Sequence, residues 1–252
     1  MHDLTEGKPG KLILQFATPM LIGNVFQQLY NVTDSIIVGK FLGKEALAAV
    51  GASFPLIFML ISFIIGIASG STIIIAQYFG AKDMARVRKT IDTMYIFLFF
   101  ASILIAIVGM VFSGPIFRLI KLPEELIPHA ALYMNVYLSG MIFFFGFNGT
   151  SAILRGLGDS KTPLYFLIIS TLANIIFDLL FIVVFKWGIA GAALATVLSQ
   201  AGAFLTTVIY LNRTHEVINL SWRKLDWDRD ILKSSIRIGV PTGFQQTFVS
   251  LG

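Results

Sequence analysis

The chain has 252 residues, of which 56% are hydrophobic and only 13% charged, with a formal net charge of +5. Ordinary soluble domains carry about 25% charged residues, so this composition excludes that class of protein. Between the charged clusters lie apolar stretches of about 20 residues or more, enough to cross a ~30 Å hydrocarbon layer as helices. The absence of cysteine excludes disulfides, thiolate nucleophiles and cysteine metal ligands.

Six apolar segments follow one another along the chain, and each is predicted to be a membrane-spanning helix. In chain order they are Leu12–Val38, Ala46–Tyr78, Ile91–Ser113, Leu126–Leu154, Pro163–Phe185 and Ile189–Leu211. A seventh helix is predicted to begin near Ser234. The predicted fold is therefore an all-α membrane protein. Residues 1–233 form a six-helix transmembrane lobe with a cytoplasmic linker, and residues 234–252 start a seventh helix of a truncated second lobe.

The basic residues indicate the orientation of these helices. The N-terminus and every second loop hold thirteen Lys and Arg residues, including Arg223 and Lys224, whereas the alternate loops hold five. Because cytoplasmic loops are the ones enriched in Lys and Arg, the N-terminus is predicted to be cytoplasmic in a multi-pass protein of the cell membrane. The same asymmetry accounts for the basic net charge without a nucleic-acid partner. Membrane lipid is the expected surrounding.

An internal repeat links the two ends of the chain. The segment KLILQFATP (Lys11–Pro19) aligns with KSSIRIGVP (Lys233–Pro241) in its Lys, apolar and Pro positions, and a looser match relates the Phe-Gln-Gln triplets at Phe26 and Phe244. The seventh helix is therefore predicted to restart the pattern of the first, as in transporters built from parallel six-helix halves.

Four polar residues are predicted to share one depth in the outer half of the membrane. Asp34 and Asp178 are the carboxylates embedded in apolar segments, and each costs about 2.5–3.5 kcal/mol at a helix centre on insertion scales. Asn174 precedes Asp178 by four positions and shares its helix face. At 1.5 Å per residue, Thr196 lies about 10 Å below the outer surface, in the same band.

This band of oxygen-bearing side chains suits either a hard cation such as Na⁺ or a proton shared between two carboxylates. Protonation or ion binding would change the charge of the pair and so couple an ion gradient to a conformational change. The alternative is that each Asp pairs with a backbone or hydroxyl donor, or reaches the outer interface. The sequence leaves these readings open.

Small residues form ridges on two of the predicted helices. They recur at spacings of three or four, which lets helices approach closely in lipid. They are Gly66, Gly70, Gly191, Ala195, Ser199 and Gly202. This pattern predicts helix packing rather than a binding site.

Motifs of enzymes and pumps are missing from the sequence. It contains neither a Walker A motif, nor a dinucleotide fingerprint after a strand, nor a His-Glu-x-x-His motif. An ATP-driven pump and a membrane metalloprotease are therefore disfavoured. No enzymatic activity and no cofactor is expected, apart from Na⁺ or H⁺ as a coupling ion.

Three stretches of the sequence resemble the multidrug and toxic compound extrusion (MATE) transporters. They are ATPMLIGNVFQQLYNVTDSIIVG (Ala17–Gly39), IASGSTIIIAQYFGAKD (Ile67–Asp83) and LRGLGDSKTP (Leu154–Pro163). The resemblance extends over essentially the whole chain. It implies two six-helix lobes around a cavity and alternating access, with inward Na⁺ or H⁺ driving the export of amphipathic, often cationic drugs or toxic compounds.

The resemblance also assigns roles to residues. In one branch of the family the coupling site matches Asp34, Asn174, Asp178 and Thr196, the residues that the depth argument reaches independently. Candidate cavity-lining residues on the first helix are Asn24, Gln27, Gln28 and Tyr30. The loop residues Arg155, Gly156, Gly158 and Asp159 are interpreted as a tight cytoplasmic turn whose charges pair locally.

Two functions remain as alternatives to cation-coupled efflux. A transporter of this kind needs two lobes, so a separately encoded partner or a second copy of the chain would be required for transport. A non-transporting fragment is one alternative. The other is a lipid-linked oligosaccharide flippase on the same general scaffold, which would need cationic residues in its cavity to hold a pyrophosphate.

Overall fold

The computed structural model describes residues 8–214 and 225–251, so Arg223 and Lys224 of the predicted linker lie outside the described residues. Eight α-helices follow one another, with no strand in the described ranges. They are α1 (Pro9–Leu42), α2 (Lys44–Gly80), α3 (Met84–Leu119), α4 (Ile127–Ser139), α5 (Met141–Gly156), α6 (Lys161–Asp178), α7 (Gly188–Thr214) and α8 (Arg229–Leu251). The predicted all-α class is confirmed. The last helix begins at Arg229, earlier in the chain than the predicted Ser234.

Successive helices alternate in direction when α4 and α5 are counted as one bent helix. We call the end where α1 begins and α2 ends the basal end, and the opposite end the apical end. Contacts join matching ends: the hydroxyls of Thr162 at the start of α6 and Tyr210 near the end of α7 lie 3.4 Å apart, and Ser53 of α2 donates a hydrogen bond to the carbonyl of Ala130 at the start of α4. The chain therefore runs up and down through one bundle.

Four of the described helices are long and apolar enough to cross a membrane: α2, α3, α7, and α6 together with the turn that extends it to Val184. The bent pair α4 and α5 makes a fifth if it is counted as one span. Helix α1 has 34 residues, but its polar side chains keep its hydropathy below that of the other spans. The predicted number of six spans thus stays a prediction.

Helix α3 shows which surface of the bundle is apolar. A stripe of large apolar side chains along α3 is exposed, at the spacing of three or four residues that defines one helix face. The stripe consists of Phe100, Leu104, Ile107 and Val111. A continuous exposed apolar stripe of this kind is the surface that a lipid bilayer covers in a membrane protein.

Two of the predicted spans are interrupted. The segment predicted as Leu126–Leu154 bends by 51° between α4 and α5. Gly140 lies at the bend, where a side chain would collide with Val197 of α7. The segment predicted as Pro163–Phe185 changes from α-helix to a six-residue π-helical turn, Leu179–Val184, directly after Asp178. Such turns are rare and are frequent at functional sites.

Glycines bring α2 and α8 into backbone contact. A Cβ added to Gly66 would lie 2.5 Å from the carbonyl oxygen of Gly239 and 2.6 Å from the backbone nitrogen of Gly243. A Cβ on Gly70 would collide with the backbone of Ser235 and Gly239. The predicted ridge is therefore confirmed for Gly66 and Gly70. It is wrong for Gly202, where an added Cβ meets nothing within 4 Å.

The segment before α8 is fastened to the start of α3 at the basal end. Lys89 Nζ lies 3.0 Å from Asp228 Oδ2, and the backbone N–H of Asp228 donates to Thr93 Oγ1 at 3.1 Å. The N–H of Asp226 donates to Asp92 Oδ2 at 3.3 Å. Asp228 Oδ1 also accepts hydrogen bonds from the N–H groups of Asp230 and Ile231, and so caps α8.

Candidate functional site

Asp34 and Asp178 meet in the interior of the bundle. Asp34 lies about 12 Å before the apical end of α1, at 1.5 Å per residue, and Asp178 is the last residue of α6. Both are buried, Asp178 completely. Their carboxyl groups lie close enough to interact with each other.

Asn174 and Thr196 complete the cluster. When the Asn174 amide is oriented to match its neighbours, its nitrogen donates to Asp178 Oδ2 at 3.2 Å and its oxygen accepts from the Thr196 N–H at 3.3 Å. Asn174 is 1% exposed and Thr196 is buried. The structure thus brings together all four residues that the sequence placed at one depth. They come from three helices, α1, α6 and α7.

Tyr30 reaches this cluster from α1. Its hydroxyl donates to Thr196 Oγ1 at 3.1 Å, while Thr196 Oγ1 itself lies 3.4 Å from the carbonyl oxygen of Ala192. Tyr30 and Asp34 are four residues apart and share one face of α1. Tyr30 therefore belongs to the polar cluster rather than to the lining of the cavity described below.

Two carboxylate oxygens in the cluster lack a hydrogen-bond partner. They are Asp34 Oδ1 and Asp178 Oδ1, both buried. Within the described ranges no Lys, Arg or His forms an ion pair with either residue. Two adjacent buried carboxylates are unfavourable unless a proton or a cation compensates them. Since the unpaired atoms of Asp34 and Asp178 are both oxygens, the chemistry of the cluster fits either a shared proton or a hard cation such as Na⁺.

Two further tyrosines surround the carboxylates, and the sequence analysis did not find them. Tyr133 and Tyr137 of α4 stack on each other with ring centroids 6.2 Å apart, and both lie close enough to Asp34 to interact with it electrostatically. Their spacing of four residues places them on one face of α4, but the sequence does not indicate toward which neighbour that face turns.

A separate cavity of about 90 Å³ opens between α1, α5 and α6 in the basal half. Asn24 and Gln27 of α1 line it. Gln28 does not line this cavity and is exposed, and Tyr30 reaches the carboxylate cluster instead. Across from α1, the wall includes Ser151 and Arg155 of α5. We call this space the basal cavity.

The loop that follows α5 is a tight turn built on Gly158. The φ angle of Gly158 is +85°, and the N–H groups of Gly158 and Asp159 donate to the carbonyls of Arg155 and Leu154 at 3.0 and 2.8 Å. This is a Schellman motif, in which glycine takes the left-handed position. Gly156 allows close packing, because a Cβ there would lie 2.8 Å from Ile75 Cγ2 of α2.

The charges of this loop do not pair with each other, contrary to the prediction. Asp159 instead accepts hydrogen bonds from the N–H groups of Lys161 and Thr162 at 3.1 and 3.0 Å and from the Thr162 hydroxyl at 2.6 Å. It thereby caps the start of α6, where N–H groups lack helical partners. Arg155 points toward the basal cavity. In the part of the chain that the structure describes, no ion pair or hydrogen bond engages its guanidinium.

A bundle of long apolar helices with an exposed apolar surface is the architecture of a multi-pass membrane protein. The sequence comparison gives the family: residues 19–180 match the MatE profile. The chain therefore belongs to the MATE family. This match covers more than half of the chain and includes Asp34, Asn174 and Asp178.

Similar proteins of known sequence include two from Bacillus subtilis. The chain is 39% identical over 243 residues to "Probable multidrug resistance protein YoeA", covering 94% of this chain and 52% of that protein. It is 34% identical over 252 residues to "Probable multidrug resistance protein YpnP", covering 100% of this chain and 56% of that protein. The chain thus spans about half the length of the curated relatives it matches.

Similar solved structures are also about twice as long as this chain. One is described as the outward-facing conformation of a multidrug resistance MATE family transporter of the MOP superfamily, with a TM-score of 0.89 and 31% identity over 97% of this chain and 54% of that chain. Another, a MOP superfamily transporter from Pyrococcus furiosus described as having a binding pocket of reverse polarity, also gives a TM-score of 0.89 and 31% identity. It covers 98% of this chain and 55% of that chain.

Proposed function

We propose that this chain is one lobe of a cation-coupled antiporter that exports amphipathic, often cationic compounds by alternating access. The observation that carries the proposal is the contact between the buried side chains of Asp34 and Asp178. Beside them, the Asn174 amide donates to Asp178 and the Thr196 hydroxyl accepts from Tyr30. These four residues form the coupling site, and the ion is Na⁺ or H⁺.

The physical basis of coupling is the charge of the carboxylate pair. With both groups ionised and no counter-ion, the pair repels itself in a low-dielectric interior. Binding of a proton or Na⁺ removes that repulsion and lets α1 stay close to α6 and α7. Release of the ion favours separation of these helices. An ion that binds the two arrangements with different affinity shifts the population between them.

Transport also requires a second lobe. The chain spans about half the length of its curated relatives, so a second lobe beyond residues 1–252 would complete the cavity. The basal end carries most of the basic residues of the connecting segments. By the positive-inside rule it faces the cytoplasm of a cell-membrane protein, and the basal cavity opens on the side from which substrates are taken.

The test is ion binding to the purified chain in nanodiscs. A ligand that binds only the folded state raises its stability by about 2.7 kcal/mol at a concentration 100 times its dissociation constant. We expect thermal stability to rise with Na⁺ concentration, or with proton concentration if H⁺ is the coupling ion, and Asp178→Asn to abolish that response. The matched control is Asp230→Asn, the same chemical change at an exposed residue of α8.

The outcome separates the two ions. A Na⁺ response that disappears in Asp178→Asn and persists in Asp230→Asn supports sodium coupling. A pH response with the same pattern supports proton coupling. If Asp178→Asn responds to Na⁺ and pH as the unmodified chain does, the four residues are not the coupling site and the proposal is wrong.

A further inference from the structure

Arg155 differs from Arg86 and Lys89, two cations at the basal end of the bundle that are each paired with a carboxylate. Arg86 lies 3.4 Å from Asp83, and Lys89 lies 3.0 Å from Asp228. Arg155 has no such carboxylate, and its five N–H donors find no acceptor among the described residues. The side chain is partly buried in the wall of the basal cavity. A guanidinium placed in this way is available to a ligand.

Ser151 provides a second, independent indication of a ligand in the same cavity. It lies four residues before Arg155 on α5, so the two side chains share one helix face. Ser151 is 4% exposed, and its Oγ is a buried polar atom without a hydrogen-bond partner. Buried polar groups are almost always hydrogen-bonded, so an unpaired hydroxyl beside an unpaired guanidinium marks a place where a polar group binds.

The remaining wall of the cavity adds donors and no negative charge. Asn24 and Gln27 face it from α1 with amide groups, and Ser160 lies near its basal rim. None of the residues that line the cavity is Asp or Glu. Arg155 is its one charged lining residue, so the local field favours an anion. The carboxylate pair lies apart, since Asp34 is about 15 Å along α1 from Asn24 at 1.5 Å per residue.

We propose that the basal cavity binds an anionic group, a carboxylate or a phosphate, which Arg155 holds through paired N–H···O hydrogen bonds and Ser151 through its hydroxyl. Arg and carboxylate or phosphate match geometrically as two parallel hydrogen bonds. The inference rests on the proposed function, because it names the chemistry of one end of the transported compound. It narrows that function: among the amphipathic compounds proposed above, those that the basal cavity holds carry an anionic group, alone or in addition to a cationic one.

The size of the cavity limits what enters it. At about 90 Å³ it is smaller than the 300–1,000 Å³ typical of sites that enclose a drug-sized ligand. It therefore holds a headgroup, while the apolar part of an amphipathic compound extends out of it. Leu164 and Leu167 of α6 line the cavity beside the polar groups and provide the apolar contact for that part.

The test compares two probes that differ only in charge, 4-phenylbutanoate and 4-phenylbutylammonium. Binding to the full chain is measured by ligand-observed NMR and by thermal stabilisation, in nanodiscs of zwitterionic phosphatidylcholine. We expect the carboxylate to bind at least about tenfold more tightly than the ammonium, as loss of a charge-assisted hydrogen bond implies. Arg155→Gln should remove that preference, and Ser151→Ala should weaken carboxylate binding several-fold.

Two controls keep the result interpretable. Lys161→Gln removes one positive charge from the exposed start of α6, close to the cavity, and should leave binding of both probes unchanged. Arg155→Lys keeps the charge but loses the paired geometry, and it should bind the carboxylate with intermediate affinity. If Arg155→Gln does not fold, as circular dichroism would show, Arg155→Lys and Ser151→Ala decide the question.

The source of the anion is resolved by competition. Displacement of the carboxylate by inorganic phosphate indicates a free anionic solute, and displacement only in nanodiscs that contain phosphatidylglycerol indicates a lipid headgroup. Either result supports the anion site if it requires Arg155. Equal carboxylate binding by the unmodified chain and folded Arg155→Gln overturns the inference, as does a preference for the ammonium probe. Neither result bears on the Na⁺ or pH response at Asp178, so the two proposals fail separately.

Discussion

The carboxyl group of Asp34 on α1 contacts that of Asp178 on α6, although 144 residues separate them in the chain. Two like charges hold these helices together only if a proton or a cation lies between them. The contact therefore makes the position of α1 depend on the state of the pair. Tyr30 and Thr196 connect the same face of α1 to α7 through one hydrogen bond.

Tyr30→Phe removes the hydroxyl that donates to Thr196 Oγ1 and leaves the ring in place. We expect the free energy of unfolding to fall by about 0.6 kcal/mol, the average for hydrogen bonds between membrane helices. We also expect α1 to be held less firmly against α7. Thermal unfolding in nanodiscs measures the first effect. Tyr165→Phe, at an exposed residue of α6, is the control and should be neutral.

Gly66→Ala should separate α2 from α8. The added Cβ would lie 2.5 Å from the carbonyl oxygen of Gly239, and a backbone atom cannot move aside as a flexible side chain can. Overpacking of this kind costs about 1–3 kcal/mol. Gly51→Ala on the same helix meets nothing within 4 Å and should be neutral or stabilising, because alanine is the better helix former.

The comparison of these two variants is made by denaturant unfolding of the chain in mixed micelles. Equal stability of Gly66→Ala and Gly51→Ala would show that the backbones of α2 and α8 do not touch. That result would contradict the packing of α8 described above.

Asp159→Ala and Asp159→Asn distinguish capping from charge pairing in the loop after α5. Loss of a capping side chain costs about 1 kcal/mol, so Asp159→Ala should be destabilising by that amount. Asparagine keeps an acceptor oxygen for the N–H groups of Lys161 and Thr162, and should retain most of the stability. Thermal unfolding of both variants is the measurement. Equal losses would indicate instead that the negative charge is what matters.

The Asp228 carboxylate should make the folding stability of the chain fall at low pH. Hydrogen bonds from the Ile231 N–H and then from Lys89 hold the pKa of this carboxyl group below its ordinary value. A group whose pKa is lower in the folded state stabilises the fold above the unfolded pKa of about 3.9, and this contribution disappears as the pH falls through the folded pKa. The unmodified chain should therefore lose stability faster than Asp228→Asn below about pH 4.

Unfolding curves between pH 3 and 7 provide the measurement. Lys89→Gln removes the ion pair and leaves the capping hydrogen bonds of Asp228 in place, so it should retain part of the loss of stability at low pH. Parallel curves for the unmodified chain and Asp228→Asn would show that the carboxylate does not contribute.

The carboxylate cluster could be predicted because burying its polar side chains in a membrane is energetically unfavourable. Asp, Asn and Thr stand out in apolar segments, and helix geometry gives the depth of each, so Asp34, Asn174, Asp178 and Thr196 could be grouped before any contact was known. Tyr133 and Tyr137 could not be, since a tyrosine in an apolar helix is equally typical of lipid-facing and packing positions. Their role depends on the rotation of α4, which tertiary packing sets.

Other features depend on contacts that no local pattern encodes. The sequence predicts one span from Leu126 to Leu154, but the span bends by 51° at Gly140, where a side chain would collide with Val197 of α7. The charges of Arg155 and Asp159 suggest a pair from their proximity in sequence. The structure separates them because Asp159 has a better partner in the start of α6. Helices and turns can thus be predicted from the local sequence, whereas helix bends and side-chain partners depend on tertiary contacts.

The contact of α2 with α8 at Gly66, Gly70 and Gly239 has a mechanical consequence. Most helix pairs interlock through side chains, so sliding one past the other requires many rotamers to change together. Here the surfaces that meet are backbone, with no side chain from these glycines inserted between them. A shift of α8 along α2 would therefore require fewer side-chain rearrangements at these glycines than in an interlocked pair. The ion pair between Lys89 and Asp228 would hold the start of α8 in place during such a shift.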